Sequence, residues 1–395
     1  MTSKERHEIR YQRRKQKRLE RKQYLNSMHG DFDKAVSVDS LIKSYRKCRK
    51  NTKWKASVQN YGFRLLRNSY SLNQDLLNGV DTFKKFYCFT VSERGKQRHI
   101  RSIGIRQRVA EKALAQNSFI PMLTNSLIYD NSASLKGRGT NRARKRLLQH
   151  LRKWYRWHGT DGYVIVGDFK SYFDSIDHDV LLGLIKSKFD DERFSEYVAQ
   201  QIKHYGEIGL GLGSELNQIY AVSVPNRLDQ FIKTKLRIKF YHRYNDDFYI
   251  FCETKADAWR ILDEICVILA ELKINLNRLK TQIVKLSHGF TFLKKRYWLS
   301  DSGKVIIKHC NKNITRERKK LKSFYKMGLS YDIVSQQYQS WRGYLKSMDS
   351  TSKNYSKRYK YEYRTIVAMD KLYNELFVRK ENENVCTFES GLRCA

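Results

Sequence analysis

The feature that most constrains the fold is an acidic turn held between two apolar runs. Ile238-Lys239-Phe240-Tyr241 leads toward Tyr244-Asn245-Asp246-Asp247, and Phe248-Tyr249-Ile250-Phe251 follows at once. A strand, a tight turn and a second strand read as a β-hairpin. Upstream, Tyr163-Val164-Ile165-Val166-Gly167-Asp168 reads as a short buried strand that ends on an acid. If these strands lie side by side in one sheet, three carboxylates meet. Such a trio can hold two divalent cations about 3.5–4 Å apart and carry phosphoryl transfer. Each part has a plainer reading by itself. A YxDD recurs by chance, acidic turns are common, and Asp168 alone suits a helix cap or a surface acid.

The chain has 395 residues, 41% of them hydrophobic, which suits two or three packed subdomains with a sizeable core. Its two prolines, Pro121 and Pro225, leave no Pro-rich linker. The 78 Lys and Arg outweigh 40 Asp and Glu, for a net charge of +38. A folded surface with that charge repels itself unless a polyanion neutralises it. Nucleic acid is the matching polyanion, because its phosphates spread charge along a groove. The 26 Tyr and 19 Phe supply rings for base stacking; a basic protein with an aromatic core is the bland alternative. Seven scattered cysteines form no C-x-x-C and complete no zinc signature, as expected of reduced thiols in a cytosol. The N-terminus is charged from the start, and no apolar run approaches the ~18 residues of a membrane span. A cytoplasmic protein without a membrane partner is expected.

Residues 1–25 read as a basic helix. Residues 35–75 and 107–128 read as helical, the latter bent or ended by Pro121. Between them Phe86–Val91 and Arg98–Arg101 pair as strands across a turn at Glu93-Arg94-Gly95-Lys96. A Gly-punctuated basic loop, Lys136–Thr140, precedes a cationic helix from Arg142 to about Trp157. Helices are expected at His178–Lys188, Ser214–Lys235 and, from its three- and four-residue apolar steps, Ala256–Leu272. Gly206–Gly213 is a glycine-rich loop. Ile274–Asn277, Gln282–Val284 and Phe290–Leu293 are β-like, and the chain beyond Ile314 is helical and basic. An α/β layer with a helical appendage on each side results.

The order of these motifs resembles that of reverse transcriptases, specifically bacterial ones. Gly167-Asp168-Phe169-Lys170-Ser171-Tyr172-Phe173-Asp174-Ser175-Ile176-Asp177-His178 resembles the family's motif A, and Gly209-Leu210-Gly211-Leu212-Gly213-Ser214 its motif B. Arg243-Tyr244-Asn245-Asp246-Asp247 is similar to motif C, Leu276-Asn277 with Lys280-Thr281 to motif D, and Gly289-Phe290-Thr291-Phe292-Leu293 to motif E. Gly95-Lys96-Gln97-Arg98-His99-Ile100 and Gly137-Arg138-Gly139-Thr140 with Ala143 resemble the fingers blocks. The likeness covers roughly residues 85–345. Its specificity lies in seven blocks in the right order.

The resemblance implies an α+β right-hand polymerase with a ferredoxin-like palm. Its parts would be a basic arm (1–30), fingers (31–160), a palm (161–300), a helical thumb (301–380) and a polar tail (381–395). It implies RNA-templated DNA synthesis with two Mg2+ ions, Mn2+ being the substitute. Asp168, Asp246 and Asp247 would hold the metals, with the Phe169 backbone facing one of them. Phe173 would stack beneath the sugar and exclude a 2′-hydroxyl; otherwise it is a core phenylalanine. Lys96 and Arg98 would grip the triphosphate, or be two more basic residues. Lys280 would protonate pyrophosphate, or be a surface lysine. Gly213 would let backbone approach nucleotide and template, and Gln218 would also contact the nucleotide. Leu212 and Gly211 depart from a frequent Gln and Pro, and Asn245 from Ala, Met or Val.

The chain as it stands has no room for an RNase H domain, no Cys/His endonuclease motif, and neither retron marker, Asn-Ala-x-x-His or Val-Thr-Gly. Two roles stay open. One is a free-standing enzyme of antiviral defence that copies a structured non-coding RNA into cDNA from dNTPs. The other is the enzyme of a diversity-generating retroelement, whose motif B resembles Leu212–Gln218 except at Asn217. An RNA-binding, maturase-like scaffold is the alternative of another class. A homo-oligomer or a second protein subunit is compatible with either role.

Overall fold

The computed structural model describes residues 1–83, 86–93, 96–347 and 360–378. Arg94 and Gly95 of the expected turn and the expected tail at 381–395 lie outside them. The chain divides into two compact units. The first is Met1–Arg146 with Tyr163–Ile283, and the second is Leu147–Gly162 with Val284–Ala395.

The first unit opens with helix α1 (Ser3–His29), which has no buried residue. Helices α2 (Phe32–Ala35), α3 (Val38–Cys48), α4 (Ala56–Phe63) and α5 (Leu65–Leu77) follow. Strands β1 (Phe86–Glu93) and β2 (Lys96–Ile103) pair antiparallel, with Val91 opposite Arg98. Helix α6 (Ile105–Leu114) then passes through a widened turn at Ala115–Phe119 into α7 (Ile120–Thr124). Pro121 explains the widened turn. It has no N–H to give the carbonyl four residues back, on Asn117, and that oxygen accepts from the His29 ring at 2.9 Å instead. Helix α8 (Thr140–His158) begins in this unit and ends in the next.

The sheet that matters for function is four-stranded. It contains β3 (Tyr163–Asp168), β4 (Tyr241–Tyr244), β5 (Asp247–Cys252) and β6 (Gln282–Lys285) in the order β4-β5-β3-β6. Numbered within the sheet, that order is 2-3-1-4, the ferredoxin-like arrangement of a split βαβ repeat. Between β3 and β4 run α9 (His178–Lys188), α10 (Arg193–Lys203), α11 (Glu215–Ser223) and α12 (Asn226–Gln230), and between β5 and β6 runs α13 (Lys255–Glu271). Side-chain oxygens cap three of these helices: Asp177 accepts from the Val180 N–H, Ser214 from Asn217 and Thr254 from Asp257. Residues 248–252 of β5 are buried without alternation, as a central strand covered on both faces must be. A ring cluster of Phe32, Phe119, Phe189, Phe194 and Tyr220 ties α2, α10 and α11 together, with centroids 4.2–5.6 Å apart.

The second unit contains an antiparallel sheet of β7 (Phe290–Phe292), β8 (Lys295–Leu299) and β9 (Val305–His309). Helices α14 (Asn311–Lys326), α15 (Tyr331–Ser347) and α16 (Lys360–Tyr373) bury Leu321, Val334, Tyr338, Met369 and Tyr373 in a separate core. Among the described residues no helix is long and apolar enough to cross a membrane.

The middle of the chain departs from the sequence pattern in three places. The strand before the acidic turn is Tyr241–Tyr244, not Ile238–Tyr241, because the chain is still bending at Lys239-Phe240 after a left-handed turn at Arg237 (φ 54°). The helix expected over Ser214–Lys235 breaks at Val224-Pro225. Ile274–Asn277 makes an isolated bridge and two backbone bonds to the end of β3 instead of a strand: Lys170 N to Asn275 O (2.8 Å) and Asn277 N to Asp168 O (2.7 Å).

Candidate active site

The β3–β5 register brings the acids together. Asp168 stands opposite Asp247 at the end of the ladder, and Asp246 is one residue earlier, in the turn. The Phe169 N–H donates to the Asp246 carbonyl (3.2 Å), which fastens the end of β3 to that turn. Two sequence choices make the approach possible. Asn245 takes φ 54°, a left-handed conformation that asparagine reaches more readily than most residues. Gly167 lies under the Phe248 ring, and a Cβ there would sit 2.2 Å from Cζ, well inside van der Waals contact.

A fully buried ion pair props the turn from behind. Arg243 donates from Nε to Asp229 Oδ1 (2.8 Å) and from Nη2 to Oδ2 (2.7 Å). It also donates from Nη1 to the Asn245 carbonyl (2.9 Å) and from Nη2 to the Val222 carbonyl (2.9 Å). Tyr241 Oη adds a 2.5 Å bond to Asp229 Oδ1. The side chains of Arg243 and Asp229 are wholly out of solvent, so the guanidinium is fixed on the carbonyl next to Asp246. Neither role was legible as such. The signal was a charged residue inside an apolar run, which must find a buried partner.

The carboxylates feel one another. Burial, and then the charge of Asp168, hold Asp246 above the usual carboxylate range. Burial and the charges of Asp246 and Asp168 push Asp247 up to about 7. Lys280 supplies the opposing charge. Its Nζ donates to both oxygens of Asp168, at 2.6 and 2.8 Å, and Asn277 Nδ2 adds a 3.2 Å bond to Oδ1. Among the described residues no three His, Cys, Asp or Glu side chains stand in metal-ligand array; the Lys280 ammonium takes the Asp168 oxygens. The donor chemistry nevertheless fits a hard divalent cation. Burial and neighbouring negative charge disfavour the ionised forms of Asp246 and Asp247, a cost that added positive charge would relieve.

The other expected site residues fall as follows. Arg98 is on β2, and its charge acts on Asp246. Lys96 begins β2, and its side chain lies outside the described residues. The Phe169 ring is buried on Tyr172 and Phe248, with centroids 5.2 and 5.8 Å away. Phe173 is half-buried with an edge of Tyr172 6.0 Å away, and its carbonyl accepts from Leu210 N (2.7 Å). Gln218 is exposed on α11. Gly213 has φ +125° and lies against the Arg101 carbonyl, 3.0 Å from where a Cβ would be.

The glycine-rich loop before α11 is strapped on both sides. Gly209 N donates to Ile176 O (2.8 Å), and Arg101 N donates to Leu212 O (3.0 Å). Behind it Glu111 of α6 is buried. Its Oε2 accepts from Ser214 Oγ (2.6 Å) and its Oε1 from Gln201 Nε2 (2.9 Å). Burial pushes this carboxyl up to about 7. Asn217 donates from Nδ2 to the Gly211 carbonyl (2.8 Å), which completes the support of the loop.

Residues 84–296 match the family described as reverse transcriptase (RNA-dependent DNA polymerase). Protein YkfC of Escherichia coli is 28% identical over a match that covers 34% of this chain and 46% of that protein. An uncharacterized 91 kDa protein in the cob intron of Schizosaccharomyces pombe is 36% identical over 18% of this chain and 10% of its own length. The chain therefore spans less than half the length of either relative. Among solved structures, apo telomerase from Candida tropicalis superposes with a TM-score of 0.45 at 15% identity, covering 62% of this chain and 53% of that one.

Proposed function

The chain belongs to the reverse transcriptase family, and from that premise we propose that it is an RNA-directed DNA polymerase that copies a dedicated, structured non-coding RNA into cDNA. The observation that carries this reading is the register that sets Asp168 opposite Asp247, with Asp246 in the adjoining turn. Asp168, Asp246 and Asp247 would hold the divalent ions, which we take to be Mg2+ with Mn2+ as substitute. When bound, the ions would ease deprotonation of the primer hydroxyl and neutralise charge on the leaving pyrophosphate. Lys280, whose Nζ donates to Asp168, would pass a proton to pyrophosphate. Arg98, with Lys96 on the same strand, would meet the triphosphate. Phe173 would stack beneath the deoxyribose, and Gly213 and Gln218 would meet nucleotide or template from the glycine-rich loop and α11. We assign 31–160 to fingers, 161–300 to palm and 301–380 to thumb.

For the biological role we propose antiviral defence in a bacterial cytoplasm. The charge of +38 supports the gripping of a structured RNA. The match of Leu212–Gln218 to the motif B of diversity-generating retroelements keeps that role as the second reading. Primer extension on an RNA template with dNTPs and Mg2+ tests the chemistry. Wild type extends, and Phe173→Ala gains ribonucleotide incorporation; equal use of ribonucleotides by wild type would remove the deoxynucleotide claim. Sequencing the RNA that copurifies, with any attached cDNA, separates the roles. A single non-coding species supports defence, and copies of a variable-gene template support the retroelement.

A further inference from the structure

The first unit carries a cavity of about 840 Å³ beside α1, none of whose lining residues belongs to the acid site. Its size is within the roughly 300–1,000 Å³ of small-ligand sites. Arg18, Arg21 and Lys22 of α1, Lys188 at the end of α9, and Lys235 beyond α12 line it, and no Asp or Glu does. The cavity is held in shape by hydrogen bonds. Asn26 of α1 donates to the Lys188 carbonyl (3.0 Å) and accepts from Asp190 N (3.1 Å). Asn226 donates to Ser126 Oγ (3.1 Å), and Gln230 to the Ser126 carbonyl (2.8 Å).

Lys188 shows what the cavity lacks. Its ammonium donates to the Ser126 hydroxyl at 3.2 Å, while burial and the neighbouring Lys22 charge push its pKa down. Lys22 itself has Asp190 at 2.7 Å, and Arg21 donates to Asn125. Five cations line the cavity and Asp190 offsets one of them, which leaves an excess of positive charge that an anion would relieve.

The anion is a polymer rather than a single phosphate, because the charge does not stop at the cavity. Seven further Lys and Arg run from Lys4 to Lys17 along α1, whose residues through Arg21 are all exposed. A 27-residue helix is ~40 Å long, long enough to follow several successive phosphates of one strand. It has no buried residue, so it gains little from packing. We propose that the cavity receives the phosphodiester backbone of an RNA strand that continues along α1. The strand is the RNA of the function proposed above, on which this inference rests.

The test compares two charge-matched variants of the full chain for binding of a labelled 30-nucleotide RNA over a salt series. One combines Arg18→Gln, Arg21→Gln, Lys188→Gln and Lys235→Gln. The other combines Lys53→Gln, Lys55→Gln, Arg64→Gln and Arg67→Gln, at exposed positions elsewhere in the unit. The first is expected to lose about tenfold or more in affinity and about 3 in the slope of log K against log salt, at ~0.7 per phosphate contact. The second should lose less than half as much. Equal losses in the two, or none in the first, would mean bulk charge alone and overturn the site. Lys188→Met removes the half-buried charge and should weaken binding at an unchanged melting temperature. RNA should also protect Lys188 from acetylation, read by mass spectrometry. Equal protection by inorganic triphosphate at the same phosphate concentration would mark a small-anion site and overturn the RNA assignment. Failure of wild type to extend a preformed hybrid would sink the polymerase reading instead, a result these binding measurements do not depend on.

Discussion

At the scale of single residues, the acid site depends on side chains buried behind it. Arg243 and Asp229 are buried together, so removing one leaves the other charged and unpaired. Arg243→Gln is expected to cost roughly 3–5 kcal/mol in urea unfolding. The double variant Arg243→Met with Asp229→Leu should recover much of that, because no buried charge remains. Its polymerase activity should stay low, since the Asn245 carbonyl has still lost its donor. Recovery of both together would show that Arg243 serves stability alone. Gly167 gives a second case. Gly167→Ala drives a methyl into the Phe248 ring and should cost about 1–3 kcal/mol. It should also lower kcat by displacing Asp168 from Asp247. Adding Phe248→Leu makes room and should restore part of both; if stability returns and kcat does not, the loss of activity has another cause.

At the scale of elements, the glycine-rich loop is the part whose support was least legible. The hairpin, the strand before Asp168 and the helix His178–Lys188 follow from local pattern, because each is a short apolar run or stripe bounded by a turn or cap. Glu111 gave no such signal. It sits in α6 among charged neighbours, and only the fold reveals that it faces Ser214 and Gln201. Strands β8 and β9 were missed for a related reason. Lys295, Arg296 and Lys308 interrupt the apolar pattern, although Lys295 is buried in the sheet. Lys280 was legible as a motif residue, but its pairing with Asp168 depends on Asn277 N holding the Asp168 carbonyl, a contact far apart in sequence. The buried carboxyl of Glu111 makes a measurable prediction. Folded, it keeps its proton up to about pH 7, against an ordinary value of 4.5. Between those values the folded state binds more protons than the unfolded one, so the contribution to stability falls as pH rises and levels off above 7. Glu111→Gln should remove that slope. Its stability relative to wild type should rise between pH 5 and pH 8 by an amount on the order of 3 kcal/mol. A difference that does not change with pH would mean that Glu111 ionises as it does in water.

At the scale of the whole molecule, the proposed catalysis and RNA binding would rest on charges of opposite sign. The proposed chemistry needs a few crowded carboxylates, while the chain as a whole carries +38. Asp246→Ala removes a carboxylate that burial and Asp168 already disfavour in its charged form. It should abolish extension, with kcat down by a factor of 10³ or more, about 4 kcal/mol in the barrier. The affinity for RNA should stay within about threefold of wild type, because one unit among so many charges alters the field little. Loss of RNA binding in Asp246→Ala would instead give that acid a structural role. The same excess charge disfavours the compact state wherever no counter-surface offsets it. The like charges repel one another in the compact state, so RNA that binds only the folded chain should raise Tm in proportion to its occupancy. Added salt should have two opposed effects: it screens self-repulsion and stabilises the free protein, and it weakens RNA binding and removes the RNA-dependent part. Tm in the presence of RNA should therefore fall with salt while Tm without RNA rises, and the two curves should converge. Parallel curves would show that the positive surface is neutralised within the protein, and that nucleic acid is not what it is built to meet.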